Sequence, residues 1–110
     1  MNFSLERKDN IVIFNLKTTK LTVEISPQMK AELLIICQPD IDALVLDLSK
    51  VEYIDSSGLG VLLLAHRQLK ENEIPVILVG VQEPVLSMLR ISHIVDLFEF
   101  YDNFEEVFSE

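Results

Sequence analysis

The sequence predicts an α/β domain with a mixed, mostly parallel β-sheet and helices packed mainly on one face, and three observations carry that prediction. The short aliphatic or β-branched runs Ala43 to Leu48 and Pro75 to Val79 are bounded by polar residues, as buried strands are. Around them lie segments whose apolar residues recur at the 3.6-residue helical period. The two kinds of segment alternate, which implies parallel pairing through right-handed crossovers. With 110 residues, 49% of them apolar, the chain suits one domain spanning 1–110 that buries roughly two-thirds of its unfolded surface.

The elements follow in order. Phe3, Leu5 and Arg7, then Ile11, Ile13 and Asn15 or Val12, Phe14 and Leu16, alternate with period 2 around Asp9-Asn10, a dipeptide suited to a tight turn, so the chain opens on a β-hairpin. Lys17 to Ile25 is polar and Thr-rich and reads as a connection. Ser26-Pro27 starts the first helix, with Ser26 as N-cap and proline as the first helical residue. Met29, Leu33, Ile36 and Cys37 form its inward stripe, and Pro39-Asp40 ends it. Ala43 to Leu48 is the central strand. A second helix shows Leu59, Leu62, Leu63, His66 and Leu69 on one face until Asn72-Glu73 breaks the pattern, and Pro75 to Val79 is the next buried strand. Glu83-Pro84 repeats the cap-then-proline start of a short helix carrying Val85, Leu86 and Leu89. Asp96 to Phe100 reads as a last short strand, and Asn103 caps a terminal helix with Phe104, Val107 and Phe108 at i, i+3 and i+4. The Val45 strand, apolar on both faces, belongs inside the sheet and the Phe3 strand towards an edge. The tail aromatics Phe98, Phe100, Tyr101, Phe104 and Phe108 are expected to pack helix on sheet rather than line a partner groove.

Composition limits the partners. Eighteen acidic residues against nine basic ones give a net charge of −9, which repels phosphate backbones and anionic lipid head groups alike, so neither nucleic acid nor a membrane surface is an expected partner. The longest apolar runs, Leu33 to Cys37 and Val61 to Ala65, fall far short of the ~20 residues that span a bilayer, and no direct membrane insertion is expected. The first six residues lack a basic start followed by an apolar core, so no signal peptide is expected and the cytoplasm fits. The single cysteine, Cys37, has no partner for an internal disulfide and reads as a small buried hydrophobe. Asp40, Asp42, Asp47, Glu52 and Asp55 fall on different elements without ligand spacing, so neither a metal nor a cofactor is expected.

The chemistry concentrates in Ile54-Asp55-Ser56-Ser57-Gly58-Leu59-Gly60, between a strand and a helix. Ser57 stands at a helix N-terminus, where N–H groups without intrahelical partners and the positive end of the helix dipole can hold an anion. Neither phosphate-loop pattern fits: the third glycine position of G-x-G-x-x-G falls on Leu63, and the Lys-Ser/Thr pair of a P-loop is absent. A serine hydrolase elbow would also place serine on such a turn, but the glycine two residues before it is missing, and only His66 and His93 could serve as base. Capping by Ser56 or Ser57 accounts for one hydroxyl. It accounts neither for the second nor for Gly58 and Gly60, since glycine in a helix costs up to ~1 kcal/mol relative to alanine.

Val45-Leu46-Asp47-Leu48 followed by Val51 to Leu62 closely resembles the STAS domain of bacterial anti-sigma factor antagonists, and the likeness continues through Pro75 to Val79, Pro84, Val85, Leu89 and Ile94 to the Phe98 segment. The resemblance implies a single STAS-like domain without enzymatic activity. It implies a partner, an anti-sigma factor that is also a serine kinase with a histidine-kinase-like ATP fold, whose capture frees the sigma factor. It further implies that phosphorylation of the second serine of the D-S-S-G turn, here Ser57, abolishes binding and that a dedicated phosphatase reverses it. On that basis Ser57 is the acceptor, Asp55 and Ser56 order the turn, Gly58 admits the partner, and Leu59 and Thr22 belong to the partner face. Thr22 stands where the family has an aspartate beside the phosphorylated serine, and His93 replaces a glycine common after the third helix. STAS-like domains also serve as constitutive accessory subunits of membrane transporters, including lipid-transport ATPases, a role that needs no modified serine. A small nucleotide-binding or hydrolytic domain built on the same helix N-terminus is the third reading.

Overall fold

In the computed structural model, which describes residues 2–109, the strand that is apolar on both faces divides the molecule into its layers; Met1 and Glu110, the ends of the predicted 1–110 domain, lie outside the described residues. The strands are β1 (Phe3–Lys8), β2 (Ile11–Leu16), β3 (Lys20–Leu21), β4 (Ala43–Asp47), β5 (Tyr53–Ile54), β6 (Val76–Val79) and β7 (Glu99–Tyr101). The helices are α1 (Ser26–Ile36), α2 (Ser56–Leu69), α3 (Glu83–Ile91) and α4 (Phe104–Phe108). Five strands form one sheet in the order β1-β2-β4-β6-β7, with β1 antiparallel to β2 and the remaining neighbours parallel. The mixed sheet, the central β4 and the edge position of β1 are as the sequence predicts.

Alternation along the strands sorts the side chains to two faces. Phe14, Leu44, Leu46 and Leu78 point into the main core, where Met29 and Leu33 of α1, Val61 and Leu62 of α2, and Val85 and Leu89 of α3 meet them. Ile13, Val45, Ile77 and Val79 point the other way, under Phe104, Val107 and Phe108 of α4. The long helices thus cover one face, and the short terminal one covers the other. The tail aromatics divide between them: Phe98 joins the main core, whereas Tyr101, Phe104 and Phe108 pack on the second face. Cys37 is buried at the end of α1, which pushes its thiol up to about 11.

Local chemistry sets the turns. Asp9 and Asn10 both adopt positive φ (51° and 69°), the combination a two-residue hairpin of matching twist requires. Asn103 caps α4 by accepting the Glu106 amide at 2.9 Å. Four expectations need correction. The predicted strand Asp96 to Phe100 is a 3-10 turn, Val95–Leu97, followed by β7. The buried stripe of α2 is Gly58, Val61, Leu62, Ala65 and Leu69, while Leu59, Leu63 and His66 are half-buried; with Val61 to Ala65 wholly apolar, periodicity does not single out the face, and the small Gly58 and Ala65 turn inward. Neither Ser26 nor Glu83 is a cap. The residue before each helix, Ile25 or Gln82, occupies that position without a side-chain bond, because the carbonyls of Thr22 and Gln82 already accept the first amides.

The end of α3 explains the place of His93. Its amide donates to Arg90 and that of Ile94 to Leu89, the paired bonds of a helix end whose next residue is left-handed. His93 adopts φ +61°, which glycine reaches at little steric cost. His93→Gly is therefore expected to raise stability by about 0.5–1 kcal/mol, seen as a higher denaturant midpoint at unchanged slope; an unchanged or lower midpoint contradicts it.

Candidate functional site

The turn between β5 and α2 is held by the β3 segment, far earlier in the chain. β3 pairs in parallel with β5, Lys20 opposite Tyr53 and Leu21 opposite Ile54. The Thr19 carbonyl accepts the amides of Glu52 and Tyr53, and the Leu21 carbonyl that of Asp55. This ladder fixes Thr22 and Val23 beside the start of α2. It lies in the connection that the sequence leaves unstructured, and two residues of pairing are too few for an alternation pattern to disclose.

Asp55 is the cap of α2, in place of either serine. Its Oδ1 accepts the Gly58 amide at 2.9 Å and the Ser57 hydroxyl at 2.6 Å, and its Oδ2 accepts the Val23 amide at 3.3 Å. The Ser57 hydroxyl bond, then the Gly58 amide, and less strongly the Val23 and Ser57 amides hold the Asp55 carboxyl below the usual carboxylate range. A folded-state value below the unfolded one contributes stability that is present above about pH 4 and is lost as pH falls through the folded value. Asparagine would keep the cap without the charge, so the melting gap between wild type and Asp55→Asn should be full at pH 7 and close below about pH 4. A gap of constant size across that range would show that the charge contributes nothing.

The predicted residues do not all come together. Asp55, Ser57 and Thr22 are brought together. Ser56 is exposed and makes no side-chain hydrogen bond among the described residues, so Asp55 and Ser57, not Ser56, order the turn. Gly58 is buried, and a Cβ there would overlap the Leu21 carbonyl and come within 2.6 Å of the Ile54 side chain. Its bareness lets α2 approach β3, so the glycine has a role in the fold itself. Leu59 is half-buried against the core and offers a partner only its outer edge.

Ser26 belongs to this site, which the sequence does not disclose. It is the one buried polar residue among those described, at 2% exposure; its Oγ donates to the Thr22 carbonyl at 2.7 Å and lies 3.0 Å from Ser57 Oγ. Its only signal in the sequence was a serine before proline, which reads as a cap. Val23 and Tyr53, on the two strands' flanks, leave 65% and 54% of their surface exposed beside the turn. His66 sits edge-on to Phe98, with ring centroids 6.3 Å apart, and His93 ends α3. The hydroxyl of Ser57 thus meets Asp55 and Ser26, and no imidazole among the described residues. No group of three or more metal-ligating side chains forms among those residues, and none of their helices is long and apolar enough to cross a membrane.

The family model of the STAS domain matches residues 2–107. The anti-sigma-B factor antagonist of Listeria monocytogenes serovar 1/2a is 29% identical over 103 residues, 90% of this chain and 89% of that one. An anti-sigma-factor antagonist (STAS) domain protein from Planctomyces limnophilus superposes with a TM-score of 0.86 at 18% identity, over 96% of this chain and 92% of that one. The Bacillus cell fate determinant SpoIIAA in its phosphorylated form does so with a TM-score of 0.75 at 20% identity, over 96% of each. At those identities the two structural likenesses are likenesses of fold.

Proposed function

The chain belongs to the STAS domain family, and we propose that within it this protein is an anti-sigma factor antagonist: a binding module without catalytic activity, acting in the cytoplasm, that captures an anti-sigma factor and is switched by phosphorylation of Ser57. The observation that carries the proposal is the Ser57 hydroxyl at the N-terminus of α2, tied to the capping carboxylate Asp55 and bordered by the Thr22 loop. The Listeria relative, matched over nine-tenths of this chain, supports the choice of partner. Exposed Val23 and Tyr53 beside the turn supply apolar surface for that partner to cover.

The switch is a phosphoryl transfer. Ser57 Oγ takes the terminal phosphoryl group of ATP held by the partner kinase, ADP leaves, and the hydroxyl proton passes to the kinase. A phosphatase hydrolyses the ester and restores the hydroxyl. That phosphorylated SpoIIAA has the same fold supports a switch that alters the surface and leaves the architecture intact. Thr22 makes the loop beside Ser57 neutral at that position, so the partner meets the Asp55 carboxylate without a second acidic side chain at 22.

The test is affinity capture from the native cell together with mass spectrometry of Ser57. Recovery of a kinase-like ATPase and a phosphoserine at 57 is the expected result. Capture of a membrane-transporter subunit, with Ser57 unmodified, would replace this function by the constitutive accessory role.

A further inference from the structure

We infer that α1 carries a receptor for a phosphate on Ser57, formed by the Ser26 hydroxyl and the Lys30 ammonium; the inference rests on the switch proposed above and concerns what the phosphate touches once it is attached. Proton counting leads to Ser26. Three short oxygen contacts, Ser57 to Asp55 at 2.6 Å, Ser26 to the Thr22 carbonyl at 2.7 Å and Ser26 to Ser57 at 3.0 Å, share two hydroxyl hydrogens. With those hydrogens directed to Asp55 and Thr22, the contact between the serines has none of its own. Phosphorylation removes the Ser57 hydrogen and sets phosphate oxygens beside the Asp55 carboxylate. Ser26 is then the hydroxyl already in contact that can donate. Its departure leaves the Thr22 carbonyl satisfied, because that oxygen also accepts the amides of Ile25 at 3.1 Å and Ser26 at 2.9 Å. Being 2% exposed, Ser26 donates with little competition from water.

Lys30 stands one turn beyond Ser26 on α1, as Gly60 stands one turn beyond Ser57 on α2. Its Nζ lies 3.5 Å from the point a Cβ on Gly60 would occupy, so the ammonium rests on the same side of α2 as Ser57. Lys30 is exposed and has no carboxylate within 4.0 Å among the described residues. A phosphate carries about −1.5 to −2 charges and three acceptor oxygens, which a buried hydroxyl and a free ammonium on one helix face can meet together. The glycine at 60 leaves the lysine room to lie across the first turn.

The test uses full-length protein with phosphoserine installed at position 57 by encoded incorporation, and follows the second phosphate ionisation, ordinarily near about 6, by 31P NMR. Asp55 and Glu24 raise that ionisation and Lys20 and Lys30 lower it, so only differences between variants count. Lys30→Gln should raise it by roughly 0.3–0.7 of a pH unit, Lys30→Arg should return most of the shift, and Ser26→Ala should raise it as well. The lysine changes lie on the surface and leave the fold in place, which melting curves verify. An ionisation unmoved by Lys30→Gln, or by a folded Ser26→Ala, overturns the receptor. Because the phosphate is installed without a kinase, its absence at Ser57 in the native cell would remove the switch while leaving this result standing.

Discussion

Ser57→Asp is expected to lose more than about a hundredfold in affinity for the captured partner while melting within a few degrees of wild type. Two effects of one charge act on different surfaces. Inside the domain, a carboxylate in the first turn of α2 faces free N–H groups and the positive end of the helix, worth roughly 0.3–1 kcal/mol, against repulsion from Asp55. At the interface the same charge, beside Asp55, would have to be desolvated without a partner, which costs several kcal/mol, whereas a hundredfold in affinity needs only about 2.7 kcal/mol. Ser57→Ala should bind close to wild type and lose about 1 kcal/mol of stability, since it gives up the hydroxyl bond to Asp55. Calorimetric titration of the three proteins decides it. Equal binding by Ser57→Asp and wild type would mean that position 57 lies outside the contact.

Gly58→Ala is expected to be the most damaging single-methyl change in the site. The added carbon overlaps the Leu21 carbonyl, a backbone atom held by the β3–β5 ladder, and presses on Ile54 at 2.6 Å. Overpacking of that kind costs about 3 kcal/mol, and the melting temperature should fall by on the order of 10 °C. Gly60→Ala is the control. There the added carbon meets only the end of the Lys30 side chain at 3.5 Å, so the helical preference of alanine should stabilise α2 by about 0.5–1 kcal/mol. Denaturant unfolding of the pair should therefore move in opposite directions. Equal midpoints would mean that α2 can shift away from β3 without cost.

How much of this is legible in the chain itself depends on how far apart the interacting groups lie. Residues that act on near neighbours made themselves plain: Asp9-Asn10 as a hairpin turn, Asn103 as a cap three residues before its donor, and alternating or 3.6-period runs that became strands and helices. The two apolar faces of Ala43 to Leu48 were enough to place that strand inside the sheet. The D-S-S-G turn stood out in the sequence because capping explains only one of its hydroxyls and glycine is costly at a helix start; the structure gives Gly58 a packing reason that the sequence does not show.

Only the tertiary structure decided what each group in the turn does. Ser26 touches Ser57 across 31 residues and Val23 donates to Asp55 across 32, and both contacts depend on how α1 and β3 seat against α2. No short-range pattern encodes that seating. The same cause turned Gly58 inward and moved the buried face of α2 towards its small residues, because local sequence fixes which residues can form an element while packing selects which face it buries.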